Sequence, residues 1–433
     1  SFDTTGVTLR MTGASASVNT HNGAITLGGL VQISGSTAFN SGTGAVTFNS
    51  GVNSTVSNSN SLIVNVYPGN TGPVVFAAGA GSFIGFNQIQ IGGSSSPGAV
   101  SLAGSFRAAG VFSARGPVTL TGATTVSSPA ITFLGAIDGG HSLSLSSTGG
   151  GAISLGGDIG AVTPLASLSL PIAGNYAFSG AVITTGDQTY TGGGRLQLDG
   201  GAALVSSNGS LNIFSSLASA GTQNVQLVAG YSGYSVASRT FGAATPGASG
   251  SSVFFSGFTS TNSTGLAATA RNTIQVLSDL GSAGNPLGMM SFSSSTLNLG
   301  SGDAPISLYG SRGLLATGAV TAVGGSTWSL SGWNPEKPSA LSVELGGDLT
   351  ITSGNLAITA PHDMQLRGVS SSTPGGASLT VSGGGGQTPT FSSTGIGQGG
   401  QTLSSVSVNT PVSLGSVATT GDQTYAMGGS FSG

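Results

Sequence analysis

The heptapeptide TTGDQTY stands at residues 184–190 and returns letter for letter at 419–425. A segment repeated this faithfully is either an active-site loop used twice or a structural stitch that recurs along a repetitive fold. Its surroundings favour the stitch. HSLSLSSTGGGAISLGGDIGAVTPLASLSL (141–170) precedes the first copy, and ASLTVSGGGGQTPTFSSTGIGQGGQTLSSVSV (377–408) precedes the second. In alignment Leu143 falls on Leu379, Ile159-Gly160 on Ile396-Gly397, and Leu165, Leu168 and Leu170 on Leu403, Val406 and Val408. A fainter echo, DLGSAGNPLGMMSF (279–292), matches through Leu280-Gly281 and Pro286-Leu287, and the Gly302-Asp303 that follows reads as a degraded TTGDQTY. The anchors at 159, 280 and 396 lie 121 and 116 residues apart, which defines a super-repeat of about that length.

Between the repeats, short alternating segments such as VTLRM (7–11), AITL (24–27), LIVNV (62–66) and RLQL (195–198) read as strands with one buried face. Gly, Asn, Ser and Asp separate them, as turns require. Three-turn helical periodicity is missing. A long period made only of short strands implies smaller coils inside it, each of about 20 to 25 residues and each burying its apolar face on its neighbours. The expected fold is therefore an elongated all-β solenoid running as a single continuous domain over 1–433, with loops leaving it near 231–252 and 327–339. The termini are expected to be cuts within a longer protein.

Composition narrows the function classes. Only 5% of the 433 residues are charged, the net charge is -3, and Lys337 is the one lysine. Glycine alone numbers 77, enough with Ser and Pro to raise the question of disorder. Disordered chains carry high net charge and few apolar residues, whereas apolar residues here recur in register. Nine scattered basic residues give no phosphate-tracking patch, so no nucleic-acid partner is expected. Without cysteine there is neither a disulfide framework nor a thiolate zinc site, which suits export in an unfolded state. The longest apolar run, 74–86, is too short and Gly-rich for a membrane helix of about 20 residues.

Ile131 to Gly139 (ITFLGAIDG), followed by SLSL, GAISLGGDIG, PLASL and TTGDQTY, resembles the repeats of filamentous-haemagglutinin-like adhesins and giant autotransporter passengers of Gram-negative bacteria. The resemblance covers about 131–198 and 377–433, with an echo near 279–310. It implies a right-handed parallel β-helix, export through an outer-membrane barrel, and a secreted or surface-anchored rod that is often adhesive. It supplies no catalytic residues. In that setting Gly186-Asp187 and Gly421-Asp422 form corner turns with Tyr190 and Tyr425 as part of the turn repeats, and Tyr190 caps its corner with the ring on the core and the hydroxyl toward solvent.

Gly395, Gly397 and Gly400 form G-x-G-x-x-G, but QTLSSVSV follows where a dinucleotide site needs a helix. Parallel β-helices also carry polysaccharide-cleaving enzymes, and Glu344, Asp348, His362, Asp363 and Arg367 cluster in sequence. Most acids lie beside Gly, so turn formation is the simpler account, and neither a catalytic role nor a cofactor is assigned. His21, His141 and His362 lack metal-ligand spacing. Trp328 and Trp333 are candidate glycan-stacking residues if their loop is exposed, and core residues if it folds back.

Two functions compete. The chain is expected to be the non-catalytic stalk and contact surface of a bacterial adhesin, meeting glycans or proteins of host or neighbouring cells. The alternative is a self-assembling extracellular scaffold such as a filament, sheath or biofilm component, because low charge removes the repulsion that keeps proteins apart. A polysaccharide-processing enzyme stands a distant third.

Overall fold

The computed structural model describes residues 1–93, 97–171, 173–199, 201–332, 341–385 and 388–431, the side chains of 240–244 excepted. The fold is all-β, and among the described residues the only helical turns are the single 3-10 turns Thr148–Gly150 and Gln398–Gly400. Contacts divide the chain into two compact units, 1–196 and 197–433. Each is a parallel β-solenoid.

In the first unit the strands pair coil upon coil. One column runs through Ile25, Val46, Val74, Val100, Val118 and Ile137, each paired in parallel with the next. A second runs Leu9, Val31, Val52, Phe83, Phe106 and Val126, and a third Val18, Phe39, Val64, Ile91, Ala114 and Phe133. Three strands per coil is what a period-2 pattern with frequent turn residues produces once apolar faces turn inward. Ile25–Leu27, Val46–Phe48 and Val74–Phe76 each bury their first and third residues and leave the middle one half-buried. Coil length is not constant: successive members of the first column lie between 18 and 28 residues apart. Insertions therefore sit in the corners, where they do not disturb the ladder.

Register places like residues over like. Phe48 and Phe76 stack with ring centroids 4.8 Å apart and planes 4° apart, and Phe83 and Phe106 stack at 4.7 Å and 8°. That spacing is the distance between hydrogen-bonded strands, so parallel stacking imposes it. The two stacks meet edge to face, Phe76 against Phe83 at 4.8 Å and 84°, the arrangement the ring quadrupoles favour.

The second unit repeats the plan. Leu211, Val253, Ile274, Leu297, Val320 and Leu349 form one column. Leu266, Met290, Leu314, Val343, Met364 and Phe391 form another. On a separate sheet Leu308, Trp328, Ile358, Val381 and Val408 form the third. Between Leu211 and Val253 the chain makes an excursion, an antiparallel hairpin of Tyr231–Ser235 with Thr240–Pro246. At its base the Arg271 guanidinium lies 5.9 Å from the centroid of the Tyr231 ring. Of the other expected loop, Thr327–Leu330 is a regular strand with Trp328 and Leu330 turned inward, and 333–339 lie outside the described residues.

Candidate functional site

The three repeat anchors are structurally equivalent. Gly160, Gly281 and Gly397 have φ of 69°, 73° and 70°. Their N–H groups donate to the carbonyls of Ile137, Phe258 and Val369 at 2.6, 2.8 and 2.7 Å. A Cβ at any of them would be driven into the carbonyl oxygen of Ile183, Tyr309 or Ala418, so both backbone conformation and space demand glycine. Register then shows where each block continues. Leu165 bridges to Thr184, Leu287 to Gly310 and Leu403 to Thr419. The segment matching TTGDQTY in the middle block is therefore GSRGLLA at 310–316 and not Gly302-Asp303. The dipeptide match misled because Gly302, with φ of 59°, turns a local bridge between Ser301 and Ala304.

At its first copy the heptapeptide is a buried polar lock. Strand Ala181–Thr184 leads through a bend at Thr185-Gly186 into strand Gln188–Thr191. The Thr184 hydroxyl donates to the Gly186 carbonyl at 2.6 Å, and the Gln188 Nε2 donates to Val182 O at 3.1 Å and Thr184 Oγ1 at 3.2 Å. Tyr190 Oη donates to Gln188 Oε1 at 2.8 Å. Thr184 and Gln188 are fully buried and Tyr190 is 2% exposed. The expectation of a hydroxyl facing solvent is thus overturned: the phenol is interior, because Gln188 supplies an acceptor there. Backbone bonds tie the turn to its neighbour coil, Gly186 N–H to Ala166 O at 2.8 Å and Leu168 N–H to Asp187 O at 3.1 Å.

The second copy makes the same bonds, here on exposed or half-buried residues: Thr419 Oγ1 to Gly421 O, Gln423 Nε2 to Thr419 Oγ1, and Tyr425 Oη to Gln423 Oε1, at 2.8, 3.2 and 3.4 Å. Asp422 takes the place of Asp187, its carbonyl accepting from Val406 N–H at 3.1 Å. In the middle block Gly310, Leu314 and Ala316 replace Thr, Gln and Tyr. A side chain at Gly310 would meet the ends of Leu330 and Met290, so apolar atoms crowd the space the lock fills elsewhere.

Burial raises the Tyr190 phenol far above its ordinary pKa of 10, and burial raises Tyr425 in the same direction. Below pH 10 the phenol is neutral folded or unfolded, and its contribution is complete. Above that, only the unfolded chain releases the proton. Stability should then fall by about 1.4 kcal/mol per pH unit from this group. Denaturant unfolding followed from about pH 9 to 11.5 should show the wild-type slope steepening above pH 10 toward that value and no such contribution in Tyr190→Phe, and equal slopes throughout would refute the burial argument.

Six of the aspartates are staples between coils. Asp138 Oδ1 accepts from Val162 N–H at 2.8 Å and Thr163 N–H at 3.1 Å; Asp158 accepts from Ala181, Asp199 from Ala220 and Asp279 from Ser307, each at 2.7 Å. Two members of the sequence cluster do the same, Asp348 toward Gly368 N–H at 3.1 Å and Asp363 toward Thr390 N–H at 2.7 Å. Arg367 Nη1 donates to Gly346 O at 3.1 Å, the His362 N–H donates to Ser342 Oγ at 3.2 Å, and Glu344 lies on strand Val343–Leu345. The G-x-G-x-x-G begins inside strand Phe391–Ile396, passes a left-handed corner at Gly397 and ends at Gly400 in the 3-10 turn Gln398–Gly400, and the next strand is Ser405–Asn409.

Trp328 is fully buried between Leu308 and Ile358, which withdraws it from any glycan surface. Gly and Ser around it mimic a loop, but the alternation Thr-Trp-Ser-Leu is that of a strand. Trp333 lies outside the described residues.

One cleft was missed in the sequence. A hollow of about 500 Å³ in the first unit is lined by Asn19, His21, Asn22, Asn40, Tyr67 and Asn70, with Gly42, Pro68 and Gly69 completing the wall. Its amides form a relay across coils: Asn70 Nδ2 donates to Asn40 Oδ1 at 3.2 Å, and Asn40 Nδ2 to Asn19 Oδ1 at 2.9 Å. Asn22 Oδ1 accepts from Thr43 N–H at 3.0 Å. The wall is a turn, Tyr67-Pro68-Gly69-Asn70, closed by Asn70 N–H to Tyr67 O at 3.1 Å. Proline second and a glycine of φ 88° third make it type II. Asn65, 1% exposed, anchors the turn from below, donating to Gly72 O at 3.1 Å and accepting from Ser41 N–H at 2.8 Å. The sequence signal was the 21-residue spacing of Asn19 and Asn40, one coil, together with Tyr-Pro-Gly-Asn.

Fold and site together define a parallel β-solenoid in which six aspartates fasten one coil to another. Comparison of the chain with protein-family models, curated proteins and solved structures finds no match. No helix among the described residues is long and apolar enough to cross a membrane.

Proposed function

We propose that the chain is a non-catalytic segment of a secreted or cell-surface bacterial adhesin, its stacked coils serving as stalk and as contact surface for glycans or proteins on another cell. The observation that carries this reading is the commitment of the acids. Six aspartates in the two units accept backbone N–H groups of a neighbouring coil, and they include two of the residues a hydrolytic site would have drawn on. Repetition of the anchor glycine in three blocks supports a chain selected for stacking. The sequence resemblance to haemagglutinin-like repeats points the same way, and a cysteine-free chain suits passage through an outer-membrane barrel.

A self-assembling scaffold is the second reading. Leu134, Val162 and Phe214 stand exposed on a chain whose net charge is only -3, which favours association between copies. Beads coated with the purified chain decide between the two. Saturable attachment of the beads to epithelial or bacterial cells by a chain that sediments as a monomer is expected for the adhesin. Fibres or sheets formed without any ligand, with no attachment to cells, would replace that reading with the scaffold.

A further inference from the structure

We propose that the cleft walled by Tyr67 and the relayed asparagines is a binding site for a neutral glycan; this rests on the contact-surface reading above and names its ligand. Four features of the cleft converge on that chemistry.

The first is charge. Of the lining residues only His21 can carry any, and no Asp, Glu, Lys or Arg is among them. A phosphate, sulfate or carboxylate ligand would find no fixed counter-charge here, so an uncharged partner fits.

The second is hydrogen-bond capacity. A primary amide has two donor hydrogens and two acceptor lone pairs. Asn40 gives one hydrogen to Asn19 and takes one from Asn70, which leaves it a donor and an acceptor. Sugar hydroxyls both donate and accept, so a pair of neighbouring hydroxyls matches an amide group by group. Asn40 is only 7% exposed and is held by partners on both sides, so its amide plane is set before a ligand arrives. Preorganisation of this kind removes part of the ordering cost of binding.

The third is the aromatic wall. Tyr67 is 57% exposed, unusual in a chain that buries Tyr190 and Trp328 almost completely. It stands on a type II turn pinned by Thr71 N–H and Gly72 N–H to Gly42 O, at 3.0 and 2.9 Å. An apolar ring face beside fixed amides suits the C–H face of a sugar, whose other edge carries hydroxyls.

The fourth is register. Asn19, Asn40 and Asn70 come from successive coils, and strands stack about 4.8 Å apart. The amides therefore present a row to an extended ligand, which favours an oligosaccharide over a single sugar.

The test uses the whole chain with soluble cellotetraose, chitotetraose, maltotetraose and lacto-N-tetraose as neutral probes and 3′-sialyllactose as the anionic control. Binding is read by saturation-transfer NMR and calorimetry. At least one neutral probe is expected to bind, tenfold or more weaker to Tyr67→Ala, within twofold of wild type to Tyr67→Phe, and several-fold weaker to Asn70→Ala. Undiminished hydrogen-exchange protection of Val74–Phe76 in each variant shows that the coil is intact. No binding of any neutral probe, binding of the sialylated control alone, or an unchanged affinity in Tyr67→Ala overturns the site. Should the site fail while coated beads still attach to cells, the contact-surface reading survives with another ligand; should both fail, both are wrong.

Discussion

Truncation of Trp328 to alanine is expected to be the most damaging single change in the second unit, at about 3–5 kcal/mol, the range for deleting a large buried aromatic side chain. Trp328 is fully buried in the Leu308, Trp328, Ile358 column, and each coil contacts its neighbours, so the cavity is felt in three coils. Hydrogen exchange should show the loss at the amides of Ser307–Gly310 and Gly354–Ala360, with the first unit less affected. Trp328→Phe should cost less than its lost volume suggests, because the buried Nε1 has no hydrogen-bond partner and its removal relieves that penalty. Loss of less than about 1 kcal/mol in the alanine variant would show that the side chain is not core. Glycan binding should be the same in Trp328→Phe as in wild type.

The second large effect belongs to the polar lock. Gln188→Leu takes the acceptor at 2.8 Å away from the buried hydroxyl of Tyr190, and Tyr190→Phe takes that hydroxyl donor away from the Oε1 of Gln188; each is expected to cost about 1–3 kcal/mol. The double variant removes the donor and the acceptor of this bond together and should cost clearly less than the sum, since the same bond is counted in both single variants. The middle block supplies the precedent, for Leu314 and Ala316 occupy the equivalent register positions without a polar pair. A thermodynamic cycle from denaturant unfolding measures the coupling. Costs that add to within about 0.5 kcal/mol would mean the hydrogen bond contributes nothing specific.

Much of this was legible in the sequence, for local reasons. Alternation over Ile25–Leu27 or Arg195–Leu198 reports a half-buried strand wherever that strand goes, and Gly160 and Gly397 announce equivalent corners because no other residue fits them. What was illegible depends on pairing between coils. Asp158 and Asp363 look like turn residues, and only register shows that each reaches a backbone N–H in another coil. Tyr190 reads as a residue with its hydroxyl outward because hydrophobic patterning gives no reason to expect a buried Gln188 as its acceptor. Trp328 was set beside a loop because its Gly and Ser neighbours outweighed a four-residue alternation. The asparagine cleft escaped because Asn19, Asn40 and Asn70 become neighbours only once coil lengths are known, and those vary.

The variable coils have a mechanical meaning. Because each is fastened chiefly to its immediate neighbours, tension on a tethered chain would strip them away singly instead of rupturing a whole unit. The coil from Ile137 to Ile159, 22 residues, would pay out roughly 70–80 Å of extended chain. It occupies only about 4.8 Å of stack height. If the chain serves as the stalk proposed above, a cell held under flow would gain slack with every coil lost, so its attachment would see a limited force while energy drained into unwinding.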